Sequence, residues 1–347
     1  MIARIINEDN IKKLRQLLEQ SERIVITCHL TPDGDAMGSS LGLWHVLTAI
    51  GKQATVVSPD MVPKSLAFMP GAKEVVAYTR YGEFATQLLN EADLVFCLDY
   101  NEPRRVDRME KALVESPAPK VMIDHHLYPS DFANVIISHP EASSTAILIF
   151  RVLCRLELFD KIDRKAAECI YTGMMTDTGN FTYNSNEADL YVVIAELLRK
   201  GINKDRIFQQ ACNTLSESSL RLNGYAISEK MQLFPDHKAA LITLGADELQ
   251  RFSYEKGDTE GLVNKPLAIP DVIWSVYLRQ DPDLVKVSMR SKGNFPVNVI
   301  CSDHFGGGGH KNAAGGEFYG SLDECVRLLT SIMPDYDSNL PQSKESR

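Results

Sequence analysis

The sequence predicts an α/β protein: a parallel-sheet domain with flanking helices, followed by a smaller α/β C-terminal domain with a mixed sheet. Three observations carry this. From Ile24 to about Ser138, apolar strand-forming runs alternate with amphipathic helical stretches, the pattern of βαβ units. Helical stretches without strands then run to about residue 215. Beyond a cluster of serines and charges (Ser216, Glu217, Ser218, Ser219), alternating runs are joined by short turns, as in antiparallel pairs. The expected division is therefore a first domain over 1–215, a linker over 216–224, a second domain over 225–334 and a polar, disordered tail over 335–347.

Element by element, Arg23–Cys28 reads as a strand running into His29, and Met37–Ile50 as a helix ended by Gly51. Gln53–Val57 is the next strand, Glu83–Asn90 a helix, and Asp93–Leu98 a strand that runs into Asp99. Arg104–Glu115 reads as a helix, and Lys120–Ile123 as a buried strand ending in Asp124-His125-His126, with Asn134–Ser138 a further strand. The helical part comprises Ser144–Leu156, Arg164–Met175, Glu187–Lys200 and Lys204–Leu215. In the second domain, Ser228–Leu233 and Lys238–Thr243 alternate like a hairpin, and Val272–Arg279 pairs with Leu284–Arg290 across Asp281-Pro282-Asp283.

Bulk properties narrow the function. Thirty-seven Lys and Arg against 46 Asp and Glu leave a formal charge of -9 over 347 residues, which disfavours long nucleic acid and leaves room for a short anionic substrate. Residues 1–20 lack the apolar centre of a signal peptide, and no run approaches the roughly 18–20 apolar residues of a membrane span. The seven cysteines show no zinc or redox spacing. They read as small buried residues in a reducing cytoplasm.

The chemistry lies at the strand ends. In an open parallel sheet, ligands gather beyond the carboxyl ends of the strands. Three predicted strands deliver His29, Asp33, Asp35, Asp99, Asp124, His125 and His126 toward one such edge. So many carboxylates together repel one another unless a cation sits among them. Carboxylate oxygens with one imidazole per metal suit Mn²⁺, with Fe²⁺, Co²⁺ or Mg²⁺ as alternatives, and the absence of thiolates argues against structural zinc. Asp33 and Asp35 are separated by Gly34, whose backbone freedom on a tight turn would let the two acids diverge. The set is too large for one open site and suits a pair of cations about 3.5–4 Å apart, which readies water for attack on phosphorus. Metal-assisted phosphoester hydrolysis is the expected reaction.

A second informative stretch is Phe305-Gly306-Gly307-Gly308-Gly309-His310. A glycine nest of bare N–H groups cradles anions, and Arg290 and Ser291 end a strand upstream, with a guanidinium suited to phosphate. Substrate would then be held in a cleft between domains.

With these residues in view, the chain resembles the DHH phosphoesterase superfamily. His29, Pro32-Asp33-Gly34-Asp35, Asp99, Asp124-His125-His126 and Asp177 match its motifs in order, and Gly306–His310 with Arg290 is similar to its DHH-associated C-terminal domain. Length and layout resemble the bifunctional oligoribonuclease and pAp phosphatase group. The resemblance implies one Mn²⁺ on His29, Asp33 and Asp99, and another on Asp35, Asp99, His125 and Asp177, with Asp99 bridging. It implies that His126 contacts the scissile phosphate, that Asp124 orients a ligand histidine, and that Arg290, Ser291, Gly307, Gly308, Gly309 and His310 bind substrate. The implied reaction is hydrolysis of very short RNA to mononucleotides and of 3′-phosphoadenosine 5′-phosphate (pAp) to AMP. The alternatives are other small phosphate substrates (linear or cyclic dinucleotides, polyphosphate) or a non-catalytic nucleotide-binding regulator. A cytoplasmic location with no membrane partner is expected, and a homodimer is compatible with the resemblance.

Other residues have weaker functional readings. Arg104 and Arg105 follow Asp99 closely enough to reach phosphate; His45, His139 and His237 read as structural or exposed; Tyr277 reads as core. Phe295 and Phe305 are candidates for stacking a base.

Overall fold

A computed structural model of the protein describes residues 4–212 and 216–341. The chain divides into two compact units, Met1–Thr214 and Leu215–Arg347.

The first unit is built from α1 (Glu8–Gln20), β1 (Arg23–Thr27), α2 (Gly34–Ala49), β2 (Gln53–Ser58), β3 (Val76–Ala77), α3 (Tyr78–Glu91), β4 (Leu94–Leu98), α4 (Glu110–Glu115), β5 (Lys120–Asp124), β6 (Val135–Ser138), α5 (Thr145–Arg155), α6 (Arg164–Asp177), α7 (Ala188–Arg199) and α8 (Lys204–Cys212). Its six strands are all parallel, in the order β3-β2-β1-β4-β5-β6. Every residue of β4 and β5 is buried, which explains why these strands read as unbroken apolar runs rather than alternating ones. One sheet face carries Ile24, Ile26, Phe96 and Ile123 against α1, α2, α5 and α6. The other carries Val25, Val57, Val95 and Met122 against α3 and α4.

Within the first layer, α2 and α6 run antiparallel at very short range. A Cβ built on Gly38 would lie 2.6 Å from the Cys169 carbonyl oxygen, and one on Gly42 2.6 Å from Ile170. The spacing Gly34, Gly38, Gly42 places all three on one helix face, and that face meets α6.

Departures from the sequence reading have local causes. The stretch read as a helix over Arg104–Glu115 is a 3₁₀ segment, Pro103–Met109, followed by the short α4. Asp107, at φ +47°, interrupts it. The helix read to Leu215 is described as Lys204–Cys212, and 213–215 lie outside the described residues.

The second unit comprises α9 (Glu217–Tyr225), β7 (Gln232–Phe234), β8 (Ala239–Leu244), α10 (Ala246–Arg251), β9 (Trp274–Gln280), β10 (Val285–Ser291), α11 (Val297–His304), β11 (Gly308–His310), β12 (Ala313–Phe318) and α12 (Leu322–Ile332). Its mixed sheet has the order β11-β12-β10-β9-β8-β7, with β8 and β9 parallel and the other neighbours antiparallel. The stretch read as a linker is helical. Ser216 caps α9 by accepting from the Ser219 N–H, and Leu222 packs with Ile242, Leu244 and Tyr277. The serine cluster is thus a helix start. The first arm of the expected hairpin is a π-helical turn, Ala226–Lys230, before β7. The start of the expected disordered tail is ordered: Met333–Asn339 forms 3₁₀ turns with Met333 and Tyr336 buried, while 342–347 lie outside the described residues. Among the described residues no helix is long and apolar enough to cross a membrane.

Candidate metal centre

Strand order marks the place. β1 has β2 on one side and β4 on the other, so the chain winds outward in both directions from the β1–β4 pair, and such a reversal opens a crevice at the carboxyl ends of the strands. β1 leads into His29. Asp33 then caps α2, its Oδ1 accepting from the N–H groups of Asp35 (2.9 Å) and Ala36 (3.0 Å). The cap sets the helix so that its first turn carries Asp35, which is 1% exposed. Gly34 serves close approach rather than a flexible turn, since a Cβ there would lie 2.2 Å from Thr176 Oγ1. Asp99 follows β4 at φ +64°, a left-handed conformation that aspartate, with its short polar side chain, tolerates better than most residues.

The structure brings these side chains together. His29 Nε2 lies 3.4 Å from Asp99 Oδ2 and 3.8 Å from Asp33 Oδ1. His125 Nε2 lies 3.6 Å from Asp99 Oδ1, 3.6 Å from Asp177 Oδ2 and 3.9 Å from Asp35 Oδ2. In each of the groups His29/Asp33/Asp99 and Asp35/His125/Asp177 the donor atoms lie within 4.8 Å of one another. The two oxygens of Asp99 face different histidines. Asp177, at the end of α6, reaches the cluster because the α2 glycine stripe lets that helix end come close to Asp35.

Each imidazole is fixed from behind. His29 Nδ1 is 2.8 Å from the Leu30 carbonyl, and His125 Nδ1 is 3.1 Å from the Ala142 carbonyl. Donation from Nδ1 to these oxygens would turn Nε2 toward the carboxylates as the nitrogen able to hold a cation. Asp124 holds His126 rather than His125: its Oδ1 is 2.7 Å from His126 Nδ1, and its Oδ2 accepts from the His126 N–H.

A further holder is Thr145, which sequence reasoning missed. Its N–H and that of Ala146 donate to the two oxygens of Asp35, at 2.6 and 2.8 Å, and its hydroxyl donates to Asp99 Oδ1 at 2.8 Å. Ser144 caps α5, so the Ser-Ser-Thr run at a helix start was the available signal.

The protonation pattern shows surplus negative charge. Burial, with the Asp99 and Asp177 charges, pushes the Asp35 carboxyl well above its usual range. Burial and the Asp33 and Asp99 charges push Asp177 up to about 7, against the opposing pull of His125. Burial also opposes charge on His29, yet Asp33 and Asp99 raise its pKa well above the ordinary imidazole value. Asp99 is driven the other way. Burial alone would raise it, but His29, His126 and His125 hold it low. Four carboxylates around two imidazoles, with donor atoms aimed inward, fit divalent cations as the missing positive charge.

The chain is similar to known proteins along most of its length. The N-terminal domain of the DHH family matches residues 23–174, and the DHHA1 domain matches residues 240–334. The bifunctional oligoribonuclease and PAP phosphatase NrnA of Thermus thermophilus is 32% identical over 311 residues, 89% of each chain. The chain belongs to the DHH family. A crystal structure of an exopolyphosphatase-related protein from Bacteroides fragilis is 48% identical with a TM-score of 0.95, covering 97% of this chain and 99% of that one. The cyclic-di-AMP phosphodiesterase PdeA of Listeria monocytogenes is 26% identical over 96% of this chain, which spans 50% of that longer protein.

In the DHHA1 unit the glycine run is a strand edge rather than a loop. Gly308–His310 form β11 beside β12. Cβ atoms on Gly307 and Gly309 would lie 1.9 Å from the Gly315 carbonyl oxygen and 2.5 Å from that of Ala313, so glycine is required there for strand approach. The Gly307 N–H is spent on Cys301 O. Ser291 is spent as well: its hydroxyl donates to Phe295 O and accepts from Asn312. Arg290 of β10 and His310 of β11 both register against Ala313 of the intervening β12. Phe295 and Phe305 are each 1% exposed and cannot stack a base, and Tyr277 is buried too. In the DHH unit, Arg104 pairs with Glu102 and His45 Nε2 with Pro70 O. His139 pairs with Glu141, and in the DHHA1 unit His237 pairs with Asp337.

Proposed function

We propose that this protein is a manganese-dependent phosphohydrolase that cuts short oligoribonucleotides to mononucleotides and removes the 3′-phosphate of pAp. The chain is an enzyme of the phosphoesterase kind, and the observation that carries the narrower reading is Asp99 placed between two histidine–aspartate groups. In this reading His29, Asp33 and Asp99 hold one cation, and Asp35, Asp99, His125 and Asp177 the other. Such a pair, when bound, supplies Lewis-acid stabilisation of the phosphate and lowers the pKa of attacking water. The chain's own part is to fix geometry. Carbonyls of Leu30 and Ala142 orient the two histidines, Thr145 and Ala146 anchor Asp35, and Asp124 turns His126 toward a phosphate oxygen. Arg290 and His310 are the substrate-holding residues in this proposal, without Ser291.

NrnA of Thermus thermophilus, similar over most of both chains, supports the nucleotide substrate. The likeness to an exopolyphosphatase-related protein supports polyphosphate as the second reading, and PdeA supports cyclic dinucleotides as the third. Turnover of pAp, a ribodinucleotide, cyclic di-AMP and polyphosphate, each with Mn²⁺ and after metal removal, decides among them. The leading reading predicts dinucleotide and pAp turnover that stops without metal; polyphosphate as the sole substrate would overturn it.

A further inference from the structure

β5 ends on Asp124, and the chain leaves the sheet through His125 before turning at residues 126–128. In that turn Tyr128 is 85% exposed, the most exposed large hydrophobic side chain among the described residues. Its φ is +60°, a region that bulky side chains rarely occupy. Its hydroxyl has no hydrogen-bond partner among the described residues. The ring therefore stabilises nothing within the fold, while its backbone is held in an unfavourable conformation.

The turn beneath it is firmly braced. Asn101 Nδ2 donates to the Leu127 carbonyl at 2.7 Å and reaches that of Tyr128 at 3.4 Å. The N–H and hydroxyl of Ser130 both donate to Asn101 O, at 2.9 and 3.1 Å. Asn101 lies two residues beyond Asp99, so the turn is tied to the ends of β4 and β5, the strands that carry Asp99, His125 and His126. Strain held in place by surrounding hydrogen bonds at a functional edge is the circumstance in which it serves the site.

We infer that Tyr128 is a stacking platform for the nucleobase next to the scissile phosphate. An uncharged ring has little attraction for phosphate, but an open aromatic face suits a flat base of any sequence. Tyrosine offers that face with only two side-chain torsions to order. The inference rests on the nucleotide reading above and deepens it: the metal-ligand cluster handles phosphate, and Tyr128 selects a substrate that carries a base.

The test uses the full chain with Mn²⁺ and two probes of equal charge, AMP and ribose 5-phosphate, with binding followed by calorimetry. The wild type and Tyr128→Phe should bind AMP on the order of ten-fold more tightly than ribose 5-phosphate. Tyr128→Ala should bind both alike, with its thermal midpoint nearly unchanged because the side chain is largely exposed. An AMP preference retained in Tyr128→Ala, or absent from the wild type, overturns the inference. Turnover of the dinucleotide pApA separates this from the reading it rests on. Turnover together with a Tyr128-independent AMP preference defeats the platform alone. A Tyr128-dependent preference without turnover defeats the proposed reaction alone.

Discussion

Both units use glycine to bring backbones together, and the outcomes differ. In the DHH unit, Gly34, Gly38 and Gly42 let α2 lie against α6, so that Asp35 and Asp177 meet from helices otherwise distant in sequence. In the DHHA1 unit, Gly307 and Gly309 let the edge strand β11 close on β12. The first approach concentrates charge in a partly buried cluster. The second closes a sheet edge, with Arg290 of β10 and His310 of β11 both registered against Ala313 of β12. A glycine run therefore says that something comes near, and what comes near decides whether the result is a site or a scaffold.

The largest effect should come from emptying the first cluster of a shared partner. Asp99→Ala or His125→Ala should reduce phosphoester turnover by at least about 10³-fold with the fold intact, read as kcat on a ribodinucleotide beside an unchanged circular-dichroism spectrum. Next, the two glycine contacts can be broken separately. Gly38→Val and Gly307→Val should each destabilise their own unit by about 1–3 kcal/mol or more through overpacking. Urea unfolding followed by hydrogen exchange should place the first loss on α2 and α6 and the second on β11 and β12. A Gly38→Val loss confined to the DHHA1 unit would contradict the comparison.

A smaller change sharpens it. Asp124→Asn keeps shape but weakens the hold on His126, and should lower activity about 10–100-fold while metal binding persists, checked by kcat beside metal content. The smallest test lies at the opposite end of the sheet. Asp93 accepts from the N–H groups of Glu22 and Arg23 and pairs with the Arg23 guanidinium at 2.9 Å. The Arg23 side chain and these N–H groups hold its carboxyl well below the usual range. Asp93→Asn should lower stability by about 1 kcal/mol at neutral pH. Because the folded-state pKa is depressed, that contribution exists above about pH 4 and is lost as pH falls further. The urea midpoints of wild type and variant should converge below pH 4.

Much of this was legible in the sequence because strand ends announce themselves. An apolar run that stops at Asp99, or at Asp124-His125-His126, shows both a buried strand and what it delivers. Helix starts were harder to read. The run Ser216–Ser219 looked like a linker because serine caps and serine linkers share a composition, and Thr145 was overlooked because its role depends on a helix end arriving beside Asp35. Asp177 follows no strand. It joins the cluster only through the packing of α2 on α6, and the Gly34-Gly38-Gly42 spacing was the signal that could have located it without the family motif. The glycines before His310 read as an anion nest because flexibility is the property most readily inferred from glycine; in the fold Gly307 and Gly309 also serve close strand contact.

The central claim is that Asp99 joins two cation sites. Calorimetric titration of Mn²⁺ into the metal-free full chain tests it most directly. Two bound ions per chain are predicted, with one lost in His29→Ala, the other in His125→Ala, and both weakened together in Asp99→Ala. A single site in the wild type, or two unaltered sites in Asp99→Ala, would contradict the claim.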